Sequence, residues 1–305
     1  MRSIEISLIL LMGFALIISG CDQTSTTQGA IAEGVNFDFE EGYPDSILTE
    51  GENFNVNIEV SNSLSSPVPF DICLFGDRSE YYGGVPVQGI CKTGLTVDQS
   101  YENNQGVIYP SKRDIVFPSA GESFVYMNLD KTVSFTNLRV NLKYVLETES
   151  SLDVCVLSGG DYESTGDFEC LPEETFFGQD ISQESAPLIV SKVEKSVRSI
   201  GGQPQMKVFI TLSKASNGEI VKKDEQGLDL VGLNVFLRGT DSEFICKNQR
   251  GEGVVFREGD SIECRADLNL GGNENVYKDS LVIGLSYEYM LEKIKRITFD
   301  GSWEE

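Results

Sequence analysis

The chain contains no histidine and a single tryptophan among its 305 residues. Histidine is the usual general base near neutral pH and the commonest metal ligand in proteins. Its absence excludes Ser-His-Asp and Cys-His catalysis within this chain. No Gly-x-Ser-x-Gly, Walker or Rossmann glycine pattern occurs in a strand-to-helix setting. A two-carboxylate glycosidase stays formally open because acids are plentiful, but we expect a protein that is not an enzyme.

Basic residues are scarce as well. The chain has 24 Lys and Arg against 48 Asp and Glu, which gives a net charge of −24. A surface potential of that sign repels phosphate backbones and anionic headgroups, so nucleic acid is not an expected partner. The same potential attracts cations or a basic partner.

The chain also has no apolar run long enough to span a bilayer comfortably. Residues 6–18 form an uncharged apolar run with the length of a signal-peptide core. The run ends in Ile18-Ser19-Gly20-Cys21, which resembles the lipobox of prokaryotic lipoproteins. That resemblance implies a signal peptide over 1–20 and a lipid on Cys21 that holds the chain at a membrane. A plain secretory signal or an uncleaved anchor is the alternative.

The mature chain is therefore expected to be exported and anchored to the outer face of the cytoplasmic membrane or to the cell envelope. Residues 21–33 are predicted to form the lipidated cysteine and a flexible tether, because they are mostly small and polar. No Asn-x-Ser/Thr sequon occurs, and this favours a prokaryotic envelope over eukaryotic secretion.

The clearest strand pattern lies in residues 51–62. Four apolar residues alternate there with polar ones, which predicts a strand with one buried and one wet face: Phe54, Val56, Ile58 and Val60. A second alternation in residues 206–213 repeats this pattern. Two more blocks and a closing pair of strands recur in the same order in both halves, which favours an internal duplication. No amphipathic helix of ten or more residues stands out.

These patterns predict an all-β fold with two tandem β-sandwiches. The first sandwich is assigned to residues 34–158 and the second to 186–305, with an acidic linker over 159–185. Each half is predicted to close with a hairpin, and in the first half its turn is placed at residues 147–150. Phe176 and Phe177 are the apolar spot of the linker. They are expected either to pack at the domain junction or to be covered by their own loop.

A glycine ahead of an alternating strand that ends in Ser61-Asn62 resembles the start of immunoglobulin-like modules in prokaryotic surface proteins. The block Asn141-Leu-Lys-Tyr144 through Val156, followed by Ala186-Pro-Leu-Ile-Val190, is similar to archaeal surface proteins with tandem modules of this kind. The resemblance implies immunoglobulin-like sandwiches and an envelope location. It implies no activity.

Six cysteines follow Cys21 and fall into three close pairs. Pairing neighbours predicts the disulfides Cys73–Cys91, Cys155–Cys170 and Cys246–Cys264. Zinc ligation and thiol exchange are the alternatives. Both lack their spacing motifs, since no Cys-x-x-Cys is present.

Two segments are candidates for binding. The predicted bridge between Cys155 and Cys170 would gather four carboxylates that suit Ca²⁺, with a solvated acidic loop as the alternative: Asp161, Glu163, Asp167 and Glu169. Tyr81 and Tyr82 lie in a glycine-rich loop of the kind that binds partners, or they pack on their own domain. No cofactor is expected apart from this possible Ca²⁺.

The composition and patterns together predict a non-catalytic surface protein that presents tandem domains to a protein partner. Adhesion, envelope structure or membership of a surface complex are the expected roles. The alternative is a lipoprotein that binds a carbohydrate or a cation for a transporter.

Overall fold

The structure is a computed structural model that describes residues 34–77, 82–129, 133–157, 171–200, 203–240, 242–247, 249–250, 253–268 and 276–300. Antiparallel strands dominate these ranges, and the all-β prediction is confirmed. Within the same ranges, no helix has the length and apolar composition needed to cross a bilayer. The predicted signal peptide and tether, including Cys21, lie outside the described residues.

Among the described residues the strands follow one another along the chain, and a short 3-10 turn at Gly178–Asp180 lies between the twelfth and the thirteenth. They are β1 (Val35–Phe39), β2 (Ile47–Leu48), β3 (Asn53–Phe54), β4 (Val56–Asn62), β5 (Val68–Gly76), β6 (Ile90–Val97), β7 (Tyr101–Glu102), β8 (Ile108–Tyr109), β9 (Ser111–Phe117), β10 (Phe124–Val125), β11 (Phe135–Leu157), β12 (Glu173–Phe177), β13 (Ser182–Gln183), β14 (Leu188–Ile200), β15 (Gln203–Lys214), β16 (Glu219–Ile220), β17 (Asp229–Leu237), β18 (Ile245–Cys246), β19 (Gln249–Arg250), β20 (Gly253–Phe256), β21 (Ser261–Asp267) and β22 (Val276–Phe299).

Two unusually long strands form the centre of the fold. β11 has 23 residues and β22 has 24, and they pair antiparallel without interruption from Phe135↔Thr298 to Leu157↔Val276. The predicted hairpins at the end of each half are therefore wrong. The sequence explains why the strand continues instead of turning. Leu146, Thr148 and Ser150 occupy the same even-numbered, inward positions as the residues before them. Residues 147–150 also contain no Gly, Asn, Asp or Pro, which are the residues that form tight turns.

One face of this pair is buried along most of its length. Tyr144 lies opposite Tyr289 with ring centres 5.9 Å apart, and Leu152 lies opposite Leu281. All four side chains are almost fully buried. Continuous burial on one face explains why the alternation keeps a single phase over more than 20 residues.

The long pair lies in the middle of a ten-stranded sheet. On one side β5 pairs with β11 and β6 continues the sheet, while on the other side β17 pairs with β22 and is followed by β20 and β19. The short strands β13, β16 and β2 also pair with the two long strands. Strands from both predicted sandwiches thus share one sheet, and residues 33–305 form one compact unit.

Two smaller sheets cover the buried face in a sandwich-like arrangement. One has the order β1-β4-β9, and the other has the order β12-β14-β15-β21-β18. The Leu188 N–H donates to the Tyr287 hydroxyl (3.2 Å), which ties β14 to β22. The Lys293 ammonium of β22 lies 5.5 Å from the ring centre of Phe37 in β1.

The predicted inward residues of both alternating strands are buried, so these two predictions are confirmed. In β3 and β4 the buried set is Phe54, Val56, Ile58 and Val60, and in β15 it is Met206, Val208, Ile210 and Leu212. All eight belong to one hydrophobic core that extends through both halves of the described chain.

The described part of the predicted acidic linker is built into the sheets. Residues 173–177 form the edge strand β12 against β14, and residues 182–183 pair with β11 as β13. Phe176 is partly buried and packs against the hydrophobic core, whereas the side chain of Phe177 is 53% exposed. This segment pairs with strands of both halves, whereas its composition predicted a linker between two separate domains.

Candidate functional site

Two of the predicted disulfides are present. Cys73–Cys91 joins β5 to β6 and Cys246–Cys264 joins β18 to β21, each between residues directly opposite in the register. Cys155 is disulfide-bonded too, and its predicted partner Cys170 lies outside the described residues. The sulfur atoms of these cysteines therefore serve as crosslinks, which excludes them as free nucleophiles or metal ligands.

A lysine is buried in the core of the second half. Lys195 points inward from β14, and its side chain has no exposed surface. Its ammonium donates to the Cys155 carbonyl (2.7 Å), to the Leu171 carbonyl (3.0 Å) and to the Glu174 carboxylate of β12. Burial lowers the pKa of Lys195, and the hydrogen bond and charge of Glu174 oppose that shift.

The three acceptors use all three N–H bonds of the ammonium, so Lys195 acts as an anchor. Its two carbonyl acceptors belong to residues that flank the segment 156–170. The lysine therefore holds both ends of the acidic segment that was predicted to bind Ca²⁺. The four predicted ligands Asp161, Glu163, Asp167 and Glu169 lie outside the described residues, and the Ca²⁺ site stays a prediction.

A groove of about 480 Å³ crosses the outer face of the five-stranded sheet. Its lining combines the half-buried ring of Phe209 with hydrogen-bonding side chains from three neighbouring strands, including Thr175, Ser196 and Gln205. Thr175 and Phe209 both pair with Glu194, so they lie in one row across the sheet. An aromatic floor beside hydroxyl and amide groups is suited to a neutral polar ligand.

The charged residues that line this groove form ion pairs, either with one another or with residues just outside it. Arg198 contacts Glu173 (3.3 Å), Lys192 contacts Glu194 (2.6 Å), and the Lys207 ammonium lies 3.3 Å from Glu263. Lys247 also bonds to Glu263, and this hydrogen bond holds the pKa of the Glu263 carboxyl below its ordinary value. The groove consequently presents balanced charge, in contrast to the acidic chain as a whole.

The structure describes one of the two predicted binding tyrosines. Tyr82 is partly buried and packs against the hydrophobic core, and its carbonyl accepts from the Met127 N–H (2.8 Å). Tyr81 lies outside the described residues. Tyr82 therefore agrees with the alternative prediction, that these tyrosines pack on their own domain.

A more exposed aromatic pair, Tyr101 and Tyr109, lies further along the described chain. β7 and β8 form a small hairpin of their own, and the rings of Tyr101 and Tyr109 stack with centres 5.1 Å apart. Tyr101 is 63% exposed and Ile108 is 57% exposed. No strand was predicted for this hairpin, although Asn103-Asn-Gln-Gly106, which precedes the apolar residues Val107 and Ile108, is a turn signal.

No group of three or more metal-ligating side chains comes together in the described ranges. The features left for function are thus the buried Lys195, the groove with Phe209 and the hairpin of Tyr101 and Tyr109. Neither a scan of protein-family models nor a search of curated proteins finds a match to this chain.

Proposed function

We propose that this chain is a non-catalytic surface protein, anchored by a lipid on Cys21, that presents two immunoglobulin-like β-sandwiches to a partner. The expected roles are adhesion, envelope structure or membership of a surface complex. The ladder between β11 and β22 is the observation that carries the proposal. A strand advances about 3.3 Å per residue, so 23 paired residues extend over about 75 Å.

A ladder of this length gives the molecule a fixed reach. Domains joined only by a flexible linker move relative to each other by default. Here each half contributes one strand to the same uninterrupted ladder. A stiff body with a fixed spacing between its ends suits the presentation of a binding surface away from a membrane.

The placement of the strands supports two related sandwiches. β4 lies between β1 and β9, and β15 lies between β14 and β21. In the large sheet, β5 flanks β11 as β17 flanks β22. One of the matched sequence blocks does not fit this correspondence: residues 261–267 pair with β15, but the strand beside β4 is β9 and not residues 124–125.

Membrane fractionation of cells that express the full chain tests the anchor. We expect the wild type in the membrane fraction and the Cys21→Ser variant, which cannot accept the lipid, in the soluble or secreted fraction. Crosslinking on intact cells then identifies the neighbouring proteins. Equal membrane attachment of both forms would contradict the lipid anchor.

Spin labels in the two halves of the molecule test the rigidity. Glu122 lies beside the β10–β3 pair near the Phe299 end of the ladder, Glu243 lies opposite Phe236 of β17 in the second half, and both are exposed. With cysteines introduced at these positions, a stiff ladder predicts one narrow distribution of distances. A broad distribution would show two independently moving domains.

The groove of Phe209 favours a second candidate, the binding of a neutral saccharide for uptake or adhesion. A saccharide stacks one face of its ring on an aromatic side chain and bonds its hydroxyls to polar groups, and Phe209, Thr175, Ser196 and Gln205 supply both. Calorimetry with neutral oligosaccharides tests this. Binding should be lost in Phe209→Ala and kept in Phe177→Ala, which removes an aromatic ring of the same sheet outside the groove.

A further inference from the structure

The hairpin of β7 and β8 exposes apolar side chains without pairing to any other strand of the described chain. The exposed residues are Tyr101, Val107, Ile108 and Tyr109. Three of the four have more than 45% of their surface exposed, and the stacked tyrosines hold the two strands together. Exposed apolar side chains gathered on one projection mark a contact surface.

The charge of this segment differs from that of the whole chain. Residues 99–113 contain one acid, Glu102, and two bases, Lys112 and Arg113, whereas the chain carries a net charge of −24. The repulsion between an acidic surface and lipid headgroups is therefore weaker here than the charge of the whole chain implies. Tyrosine, with an apolar ring and a polar hydroxyl, is the side chain that prefers the boundary between headgroups and acyl chains.

The hairpin begins next to the point where the described chain starts. The Ser63 N–H donates to the Gly34 carbonyl (2.7 Å), and the Ser100 hydroxyl donates to the Ser63 carbonyl (3.2 Å). The Ser100 N–H also donates to the Leu64 carbonyl (2.9 Å). Two hydrogen bonds through Ser63 thus connect Gly34 to Ser100, and Ser100 directly precedes Tyr101.

The base of the hairpin is also fixed to β4. The buried side chain of Asn62 donates to the Asp98 carbonyl (2.9 Å), and Asn62 is the last residue of that strand. The hairpin is therefore held in place relative to Gly34 by bonds to the core.

Twelve residues lie between Cys21 and Gly34. A fully extended chain of that length reaches at most about 45 Å. A lipid on Cys21 would thus keep Gly34, and the hairpin beside it, within about 45 Å of the bilayer. The opposite end of β4, near Glu122, lies further from the attachment point.

We propose that the β7–β8 hairpin enters the interfacial region of the lipid bilayer edge-on, so that Tyr101 and Tyr109 on one of its faces and Ile108 on the other all reach that region. This inference depends on the lipid anchor of the proposed function. A single lipid chain gives only marginal and reversible binding, and a second contact with the bilayer strengthens it. The contact would also set the direction in which the stiff body extends from the surface.

The experiment uses the full chain, purified in its lipidated form and reconstituted in vesicles of phosphatidylcholine. An environment-sensitive fluorophore is attached to a cysteine introduced at Asn104, in the turn of the hairpin, or at Glu122 as the control. Flotation of the vesicles reports the anchor. The emission of each fluorophore, with and without a quencher in the acyl region, reports the contact.

We expect the fluorophore at position 104 to shift to shorter wavelength and to be quenched from the bilayer, while the one at position 122 does neither. Combining Tyr101→Ser, Ile108→Ser and Tyr109→Ser should abolish the shift while the protein still floats. The matched control combines Ile245→Ser and Ile294→Ser, two exposed isoleucines of other strands, and should keep the shift.

The outcomes separate the two proposals. A protein that floats without any change at position 104 overturns the hairpin contact and leaves the anchor intact. A protein that does not float overturns the anchor and the hairpin contact together. A shift that appears only in native membranes and disappears after protease treatment of their proteins overturns the lipid as the occupant and points to a membrane protein.

Discussion

Each half of the described chain contains a fully buried polar side chain that holds loops in place, and the two halves use different chemistry for it. In the first half, Asn62 donates to the Ser66 and Asp98 carbonyls (2.8 and 2.9 Å) and accepts from the Leu64 N–H (2.9 Å). In the second half, Lys195 donates to the Cys155 and Leu171 carbonyls and to Glu174. Both side chains are inaccessible to solvent.

The difference between the two anchors lies in the cost of burial. A buried amide needs hydrogen bonds alone, whereas a buried ammonium must also recover the loss of its hydration. Glu174 supplies the compensating charge from the adjacent strand β12. Backbone groups alone thus satisfy the hydrogen bonds of Asn62, whereas Lys195 also needs the side chain of Glu174. The anchor formed by Lys195 is therefore easier to disrupt.

Lys195→Met should have the largest effect on stability. The substitution keeps the apolar volume but leaves Glu174 and two carbonyls without their donor. Breaking a buried ion pair costs about 3 kcal/mol, at the low end of the usual range because Glu174 keeps 21% of its side chain exposed. Chemical denaturation under oxidising conditions measures the change.

The double variant Lys195→Met with Glu174→Gln sharpens this result. Removal of the stranded charge should recover part of the lost stability, because only neutral groups then remain unpaired. A double variant that is as unstable as the sum of its two single variants would show that the charge of Glu174 is not the cause.

Asn62→Ala should cost less, about 2 kcal/mol, because the groups that lose their partners are neutral. The same denaturation experiment measures it, and Asn57→Ala in the same strand is the control at a partly exposed position. If Asn62→Ala proved more costly than Lys195→Met, the proposed difference between a neutral and a charged anchor would be wrong.

The smallest expected effect is a dependence on pH that only the charged anchor shows. Because burial lowers the pKa of Lys195 below its ordinary value of 10.5, the unfolded chain binds more protons than the folded one between these two pKa values. The free energy of unfolding therefore rises with pH in that window. The stability difference between wild type and Lys195→Met should grow from neutral pH towards 10.5.

The corresponding difference between wild type and Asn62→Ala should not change over the same window, since an amide does not titrate. A difference for Lys195→Met that shrinks with rising pH would mean that Glu174 raises the pKa of the lysine more than burial lowers it.

The sequence predicts the strands better than their connections. Alternation in β4 and β15 identifies the buried residues, because a half-buried strand exposes every second side chain. Residues 147–150, where a hairpin turn was predicted, were hard to recognise as continuous strand because polar residues, Thr148 and Ser150, occupy two inward positions there. The unbroken phase of the buried residues was the available signal.

The buried anchors show a further limit. Lys195 occupies an inward position of β14 by register, but a lysine in an alternating strand is ordinarily read as an outward residue. Its burial depends on carbonyls at Cys155 and Leu171 and on Glu174, which the fold alone brings together. The Tyr101 and Tyr109 pair depended in the same way on a cross-strand register that a loop-like composition concealed.

The long ladder between β11 and β22 also sets the order of events in folding. The first half cannot complete its sheet until residues 276–299 have been synthesised, because they are the partners of residues 135–157. Strands this far apart in sequence pair slowly, and the edge of the first strand stays unpaired until its partner strand is available. The large sheet is therefore completed only after the last strand of the chain has been delivered, whereas the strands of the two smaller sheets are available earlier.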